Sequence, residues 1–172
     1  MFKWLFGKTD GGAAESSPQL ISIARRIDAP IDQAFAAFVD RIGEWWPRDL
    51  TWAKDNLAAF TIQPRMNGRC VEKSKDGSEA VWGTVLTISR PSHIVIAWQI
   101  RPDREAEPEP AAASRVDVRF AAEGDGATRV VLVHRDFFRH GDGWEKYKTE
   151  MGAKTGWPRL MDLYAAAAPR PT

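Results

Sequence analysis

The feature that most constrains the fold is a series of short apolar strands separated by hairpin turns and followed by an interrupted helix. Asn67-Gly68, Asp76-Gly77 and Asp125-Gly126 are dipeptides typical of tight turns, in which they supply a positive φ. Two strands joined by such a turn are antiparallel neighbours. The sequence therefore predicts an antiparallel sheet with helices packed on one side, which is an α+β fold.

The predicted strands are short segments rich in apolar residues, and two short helices separate the first strand from the others. After the first strand, Asp28 is placed to cap a helix and Pro30 suits its first turn. Pro47 prevents the helical segment from continuing beyond Trp46. The seven predicted strands cover residues 20–27, 58–63, 69–74, 79–88, 93–100, 114–122 and 128–135.

The C-terminal region predicts a helix that begins near Asp142 and is interrupted at Gly156-Trp157-Pro158. A proline inside a helix loses one hydrogen bond and clashes with the preceding turn. One helical segment should therefore end near Thr155, and a second should begin with Pro158 in its first turn. The second segment has an apolar face with the i, i+3, i+4, i+7 spacing of an amphipathic helix, formed by Trp157, Leu160, Met161 and Tyr164.

Composition favours a single domain and excludes one class of partner. The 172 residues fit one domain, predicted over residues 19–168, with tails at 1–18 and 169–172. Lys plus Arg number 24 and Asp plus Glu number 23, so the net charge of +1 gives no support for a nucleic-acid partner. Cys70 is the only cysteine, so the fold requires no oxidising compartment, and we expect a cytoplasmic protein.

The N-terminal segment has the composition of a tail. Residues 9–18 are rich in glycine, alanine and serine, which is typical of a flexible tether. Residues 1–8 are apolar and contain two lysines. This stretch is interpreted as a frayed terminus or, alternatively, as a weak contact with a membrane surface.

The ionisable residues form no recognisable catalytic or metal-binding set. His93, His134 and His140 lie in different predicted elements, and Cys70 has no cysteine at metal-binding spacing. Cys70 is interpreted as a small buried side chain, and no metal or cofactor is expected. His134 ends an apolar strand, which favours a buried, hydrogen-bonded histidine over a catalytic one. If the interior holds a ligand with a carbonyl group, His134 is the predicted donor to it.

Tryptophan is unusually frequent, with eight residues in a chain of this length. Large aromatic side chains fill a core or line a pocket, and this number exceeds what a small core needs. An apolar pocket with few polar groups is the usual character of a small-molecule site. The predicted lining of such a pocket consists of Trp46, Trp52, Trp82, Trp98, His134, Phe138, Trp157 and Met161.

The order of elements and several local motifs resemble one known superfamily. The motifs are Ile27-Asp-Ala-Pro30, Pro64-Arg-Met-Asn-Gly-Arg69, Trp82-Gly-Thr-Val85, Pro91-Ser-His-Ile-Val-Ile-Ala-Trp98, Thr128-Arg-Val-Val-Leu-Val-His134 and Gly156-Trp157-Pro158. Together they resemble the START-like (SRPBCC) superfamily, and within it the branch named for activators of the Hsp90 ATPase, over residues 20–168. The resemblance implies a helix-grip fold, in which an antiparallel sheet of about seven strands wraps around a long C-terminal helix and encloses a cavity. Members of the superfamily include lipid carriers, hormone receptors, polyketide cyclases and co-chaperone modules.

Three functional hypotheses remain open at this point. The first is a non-catalytic protein, monomer or homodimer, that holds a small apolar or amphipathic molecule between the sheet and the C-terminal helix. The second, which rests on the resemblance alone, is a module that tunes the ATPase of a heat-shock chaperone, with the acidic loop Asp103–Glu109 as a contact. The third is an enzyme of the cyclase or dehydratase kind, with His134 as its acid or base and Glu72 or Glu79 as alternatives. The proline-rich connection at residues 101–113, which contains the acidic loop, is interpreted as a mobile connector or a lid.

Overall fold

The computed structural model describes residues 15–17 and 19–170, with side chains from residue 19 onward. The predicted membrane contact at residues 1–8 and most of the predicted tether lie outside the described residues. Within the predicted tail, Glu15–Ser17 pairs with the first long strand as a three-residue edge strand.

In the described part of the chain, eight strands form one antiparallel sheet, in the order β1-β2-β8-β7-β6-β5-β4-β3. The seven strands predicted from the sequence are confirmed, with ends within two residues of the predicted ones. The strands are β1 (Glu15–Ser17), β2 (Leu20–Ile27), β3 (Leu57–Ile62), β4 (Arg69–Ser74), β5 (Glu79–Ser89), β6 (His93–Trp98), β7 (Ser114–Glu123) and β8 (Ala127–Arg135).

The three predicted hairpin turns occur, but their positive φ angles are distributed differently from the prediction. In the first turn Asn67 takes the positive φ, and in the second Gly77 does. In the third turn the positive φ belongs to Gly124 and not to Gly126. The turn dipeptides thus locate the hairpins correctly, while the turn length decides which residue adopts the left-handed conformation.

The helices occupy the two positions predicted for them. After β2 come α1 (Ile31–Val39) and α2 (Ile42–Trp45), and at the C-terminus α3 (Trp144–Gly152) and α4 (Trp157–Ala167). Short 3-10 helices span Arg48–Leu50, Lys54–Asn56, Pro110–Ala112 and Phe137–His140. The predicted cap by Asp28 is wrong: α1 begins after Pro30 without a side-chain cap, and the Asp28 carboxylate accepts a hydrogen bond from Arg26.

The predicted break in the C-terminal helix is confirmed, although α3 ends at Gly152, before Thr155. Pro158 lies in the first turn of α4, where its missing N–H costs nothing. Gly156 lets the chain fold back tightly, because a Cβ atom there would lie 2.2 Å from the carbonyl oxygen of Met151. The two helical segments therefore meet at an angle that a single regular helix does not allow.

The core lies between the inner face of the curled sheet and helices α1 and α4. The predicted apolar face of α4 is confirmed, since Trp157, Leu160, Met161 and Tyr164 are buried. The hydroxyl of Tyr164 donates to the carbonyl of Ala34 at 2.6 Å and joins α4 to α1. None of the helices in the described part of the chain is long and apolar enough to cross a membrane.

The connection between β6 and β7 is held in place by specific contacts. It turns back on itself, so that Ile100 pairs with Ala106 and the amide of Glu107 donates to the carbonyl of Gln99 at 3.0 Å. The guanidinium of Arg104 lies 4.9 Å from the centre of the Tyr147 ring, and its carbonyl accepts from the indole of Trp52. The connection therefore closes one end of the space between the sheet and α3.

Candidate functional site

A group of aromatic rings from five different parts of the chain fills the interior. We call Trp46, Phe60, Trp82, Trp98 and Trp157 the aromatic cluster. Its rings contact one another, with centroids 4.6 Å apart for Phe60 and Trp82, 6.1 Å for Trp46 and Trp98, and 5.5 Å for Trp98 and Trp157. Trp46, Phe60 and Trp82 are nearly parallel, at interplanar angles of 4° to 16°. The cluster therefore presents stacked flat faces.

The structure brings most of the predicted site residues together. Trp52 is half-buried and lines a surface groove of about 480 Å³ next to Asn56 and Lys75. Phe138 is 61% exposed and lies outside the aromatic cluster. Its neighbour Phe137 is buried instead and stacks on His134 with ring centroids 4.0 Å apart. The six predicted residues that are buried in the interior are Trp46, Trp82, Trp98, His134, Trp157 and Met161.

The indole N–H groups of the aromatic cluster differ in whether they have an acceptor. Trp98 donates to the hydroxyl of Tyr147 at 2.8 Å, and Trp157 donates to Nδ1 of His134 at 3.0 Å. The Nε1 atoms of Trp46 and Trp82 are buried and have no hydrogen-bond partner among the described residues. An unsatisfied buried donor costs about 1–3 kcal/mol. Two donors at the parallel rings thus lack an acceptor within the part of the chain that the structure describes.

His134 is the buried histidine that the strand pattern predicts. The alternation of β8 places it on the inner face, and it is fully buried beneath Phe137. Burial, together with the nearby ring of His140, lowers the pKa of His134 well below its usual value of 6.5. The imidazole is therefore neutral at pH 7.

His134 and His140 are joined through a serine that sequence reasoning missed. The hydroxyl of Ser114 lies 2.7 Å from Nε2 of His134 and 2.7 Å from Nε2 of His140. Burial also lowers the pKa of His140. Strand alternation could have identified Ser114, because it lies on the inner face of β7 together with Val116. There it pairs with Trp98 of β6. The two histidines, predicted to lie in separate elements, thus form one hydrogen-bonded group.

The other ionisable candidates have structural partners. The buried carboxylate of Glu72 accepts the amides of Trp52 and Ala53 at 3.1 and 2.8 Å. His93 lies on the outer face, where its Nε2 is 2.8 Å from Asp117. Cys70 is buried as predicted, and burial raises the pKa of its thiol. No group of three or more His, Cys, Asp or Glu suited to a metal ion occurs among the residues that the structure describes.

The two depressed histidine pKa values predict a pH dependence of stability. Folded His134 and His140 bind fewer protons than the unfolded chain once the pH falls below about 6.5. The free energy of unfolding should therefore decrease from pH 7 to about pH 5.5, above the range in which most carboxylates titrate. Urea denaturation at several pH values measures this. In the double variant His134→Gln, His140→Gln, the free energy of unfolding should depend less on pH. A dependence as steep as that of the unmodified protein would mean that other groups cause it.

Solved structures with the same fold include one small-molecule synthase and one resistance protein. The synthase, described as the anthrahydroquino-gama-pyrone synthase Txn09 complexed with SUM, is 29% identical with a TM-score of 0.59, and the match covers 86% of this chain and 99% of Txn09. The self-sacrificing resistance protein CalC from Micromonospora echinospora is 23% identical with a TM-score of 0.64, and the match covers 88% of this chain and 94% of CalC. Protein NE0264 from Nitrosomonas europaea is 13% identical with a TM-score of 0.62, over 89% and 96% of the two chains. The last two matches show the fold alone.

A family model agrees with the resemblance found in the sequence. No curated protein matches this chain significantly. The model described as Activator of Hsp90 ATPase homolog 1-like protein matches residues 28–167, from the turn before α1 to the end of α4. This match spans most of the chain and includes every residue that contributes a ring to the aromatic cluster. The chain therefore belongs to the Activator of Hsp90 ATPase homolog 1-like family, within the START-like helix-grip proteins.

Proposed function

We propose that this protein binds a small, flat, largely apolar molecule with at least one oxygen acceptor between its sheet and its C-terminal helices. The observation that carries the proposal is the pair of buried indole N–H groups, on Trp46 and Trp82, without an acceptor among the described residues. A ligand oxygen that accepts from either group would recover the free energy lost by burying an unpaired donor.

The geometry of the aromatic cluster supports a ring-shaped ligand. Trp46, Phe60 and Trp82 present parallel faces, and flat aromatic molecules stack on such faces with favourable dispersion and quadrupole interactions. The chemical class comes from the similar protein Txn09, whose description names an anthrahydroquino-gama-pyrone. We extend this class, a fused-ring oxygenated aromatic, to the present chain.

Because the rings already contact one another, binding requires some of them to separate. Trp46 belongs to the covering segment, residues 42–56, which lies outside the strands, and its ring contacts those of Phe60 and Trp82 in the sheet. This segment is fastened by polar contacts, such as the ion pair of Arg159 with Asp49 at 3.0 Å and the hydrogen bond of Trp52 to Arg104. Exposed ion pairs contribute only about 0–1 kcal/mol each. Outward movement of the covering segment also breaks the bonds of Trp52 and Ala53 to the buried Glu72 carboxylate, but it leaves the hydrogen bonds between the strands intact.

Binding of 9,10-anthraquinone and anthracene tests the proposal, because the two probes share a ring system and differ in the two carbonyl acceptors. Quenching of tryptophan fluorescence should show tighter binding of 9,10-anthraquinone. The variants Trp46→Phe and Trp82→Phe retain a ring and lose the donor, so each should reduce this preference by about fivefold to tenfold.

Trp144→Phe is the matched control, since Trp144 lies on α3 outside the aromatic cluster. It should leave the preference unchanged. Failure of both probes to bind up to their solubility limits would contradict the proposed function. Equal affinities for the two probes would contradict the proposed oxygen acceptor and would limit the ligands to purely apolar molecules.

A second candidate, an enzyme acting on the same class of molecule, is favoured by the hydrogen-bonded group of His134, Ser114 and His140. Such a group can hold a proton at a defined atom, as general acid–base catalysis requires. Mass spectrometry of a ring-bearing β-hydroxy ketone after incubation with the protein tests this candidate. Loss of water from the bound probe would support it, and an unchanged mass would favour binding without turnover.

A further inference from the structure

We propose that His140 donates a hydrogen bond to an oxygen atom of the bound molecule, and that His134 and Ser114 are positioning residues that fix the required tautomer of His140. This inference rests on the proposed function, since it names a recognition residue for the same ligand. It assigns to His140 the donor role that the sequence predicted for His134. A series of hydrogen bonds connects Trp157 through His134 and Ser114 to His140.

The hydrogen bond from Trp157 determines the tautomer of His134. The indole Nε1 of Trp157 is only a donor, and it lies 3.0 Å from Nδ1 of His134. That nitrogen must therefore accept, and it carries no proton. A neutral imidazole has one N–H, so the proton of His134 is on Nε2.

The hydroxyl of Ser114 connects the two histidines and so determines which nitrogen of His140 carries the proton. Nε2–H of His134 donates to the hydroxyl oxygen of Ser114 at 2.7 Å. The single hydroxyl proton of Ser114 is then directed at Nε2 of His140, also at 2.7 Å. The backbone amide of Ser114 donates to the same nitrogen at 3.3 Å. Nε2 of His140 is therefore an acceptor, and the proton of neutral His140 is on Nδ1.

The series of hydrogen bonds ends at the ring of His140. Nδ1 of His140 is buried and has no hydrogen-bond partner among the described residues. The ordered chain of hydrogen bonds thus ends in a donor without an acceptor. By contrast, both nitrogens of His134 are already used, and its ring is fully buried. Of these two histidines, His140 is the one that keeps an N–H without an acceptor among the described residues.

The surroundings of His140 place this donor beside the aromatic cluster. The ring of His140 lies 5.4 Å from that of Tyr147. The hydroxyl of Tyr147 accepts from Trp98 and donates to the carbonyl of Ile100, each at 2.8 Å, so its hydrogen bonds are committed. The nearby carboxylate of Glu107 accepts the amide of Glu109 at 3.0 Å. The proposal therefore requires that a molecule stacked in the cluster presents an oxygen to Nδ1 of His140 at its Tyr147 end.

Two substitutions of His140 separate ligand recognition from internal structure. In His140→Asn, the amide lies where Nδ1 was, so a donor to the ligand is kept and the bond with Ser114 is lost. In His140→Gln, the amide reaches the position of Nε2, so the bond with Ser114 is kept and the ligand donor is lost. We expect His140→Gln to reduce the preference for 9,10-anthraquinone over anthracene by about fivefold to tenfold. His140→Asn should retain most of that preference.

Nitrogen NMR of the histidine rings tests the positioning chain without any ligand. The Nε2–H tautomer is expected for His134 and the Nδ1–H tautomer for His140. Ser114→Ala removes the hydroxyl donor at 2.7 Å and keeps only the longer amide contact at 3.3 Å on Nε2 of His140, so the Nε2–H tautomer of His140 should become detectably populated. A purely structural role of Ser114 would not cause this change. An Nε2–H tautomer of His140 in the unmodified protein overturns the proposal.

The outcomes for this inference and for the proposed function are distinct. The role of His140 is overturned, and ligand binding stands, if both probes bind and neither variant of His140 changes their relative affinity. The same conclusion follows if His140→Asn loses as much of the preference for 9,10-anthraquinone as His140→Gln does. If neither probe binds, the proposed function fails and the ligand contact of His140 fails with it. In that case the NMR tautomers still decide whether Ser114 and His134 orient His140.

Discussion

Trp157→Ala is expected to lower the free energy of unfolding by about 3–5 kcal/mol. The side chain of Trp157 is only 1% exposed, and its ring contacts those of Trp46 and Trp98. Its removal leaves a large cavity at the centre of the interior. It also leaves Nδ1 of His134 without its donor, which adds the cost of an unsatisfied buried acceptor.

Urea denaturation followed by circular dichroism measures this effect. Leu163→Ala is the matched control, because Leu163 lies on the same helix and is 36% exposed. The control should change the free energy of unfolding by about 0.5 kcal/mol or less. A small loss of stability in Trp157→Ala together with a collapse of probe binding would show instead that Trp157 lines an open ligand site.

Gly156→Ala is expected to destabilise the protein by about 3 kcal/mol, although it adds one methyl group. The new Cβ atom would lie 2.2 Å from the carbonyl oxygen of Met151 and 2.7 Å from its carbonyl carbon. Both are backbone atoms at the end of α3, so no side-chain rotation relieves the clash. The connection between α3 and α4 must move, and Trp157, the next residue, moves with it.

Thermal denaturation compares this variant with Gly126→Ala. A Cβ atom on Gly126 meets nothing within 4 Å in the turn between β7 and β8. The control should therefore leave the Tm almost unchanged, while Gly156→Ala lowers it by several degrees. Equal Tm values for the two variants would mean that the break between α3 and α4 adapts freely to an additional methyl group.

Local signals account for the parts of the site that the sequence predicts correctly. The alternation of strand residues places Trp98 and His134 on the inner face, and the spacing of α4 buries Trp157 and Met161. The same reasoning cannot choose between Phe137 and Phe138. Asp136, directly after β8, adopts a left-handed conformation that turns the chain into a 3-10 helix, so the strand parity is lost there and Phe137 becomes the buried ring.

Seven of the strands, the hairpins, the break at Pro158 and the family were predictable from the sequence, because turn chemistry, side-chain periodicity and motif order are properties of neighbouring residues. The edge strand Glu15–Ser17 was not, because its sequence is typical of a tether. Which polar atoms meet depends on the folded arrangement of distant elements. Ser114 lies 20 residues from His134 and 26 from His140, and Trp157 lies 23 residues from His134. Their hydrogen bonds depend on strand register and on the angle between α3 and α4. Whether an indole N–H finds an acceptor is likewise set by atoms far away in the chain, so the unpaired donors of Trp46 and Trp82 have no signature in the sequence.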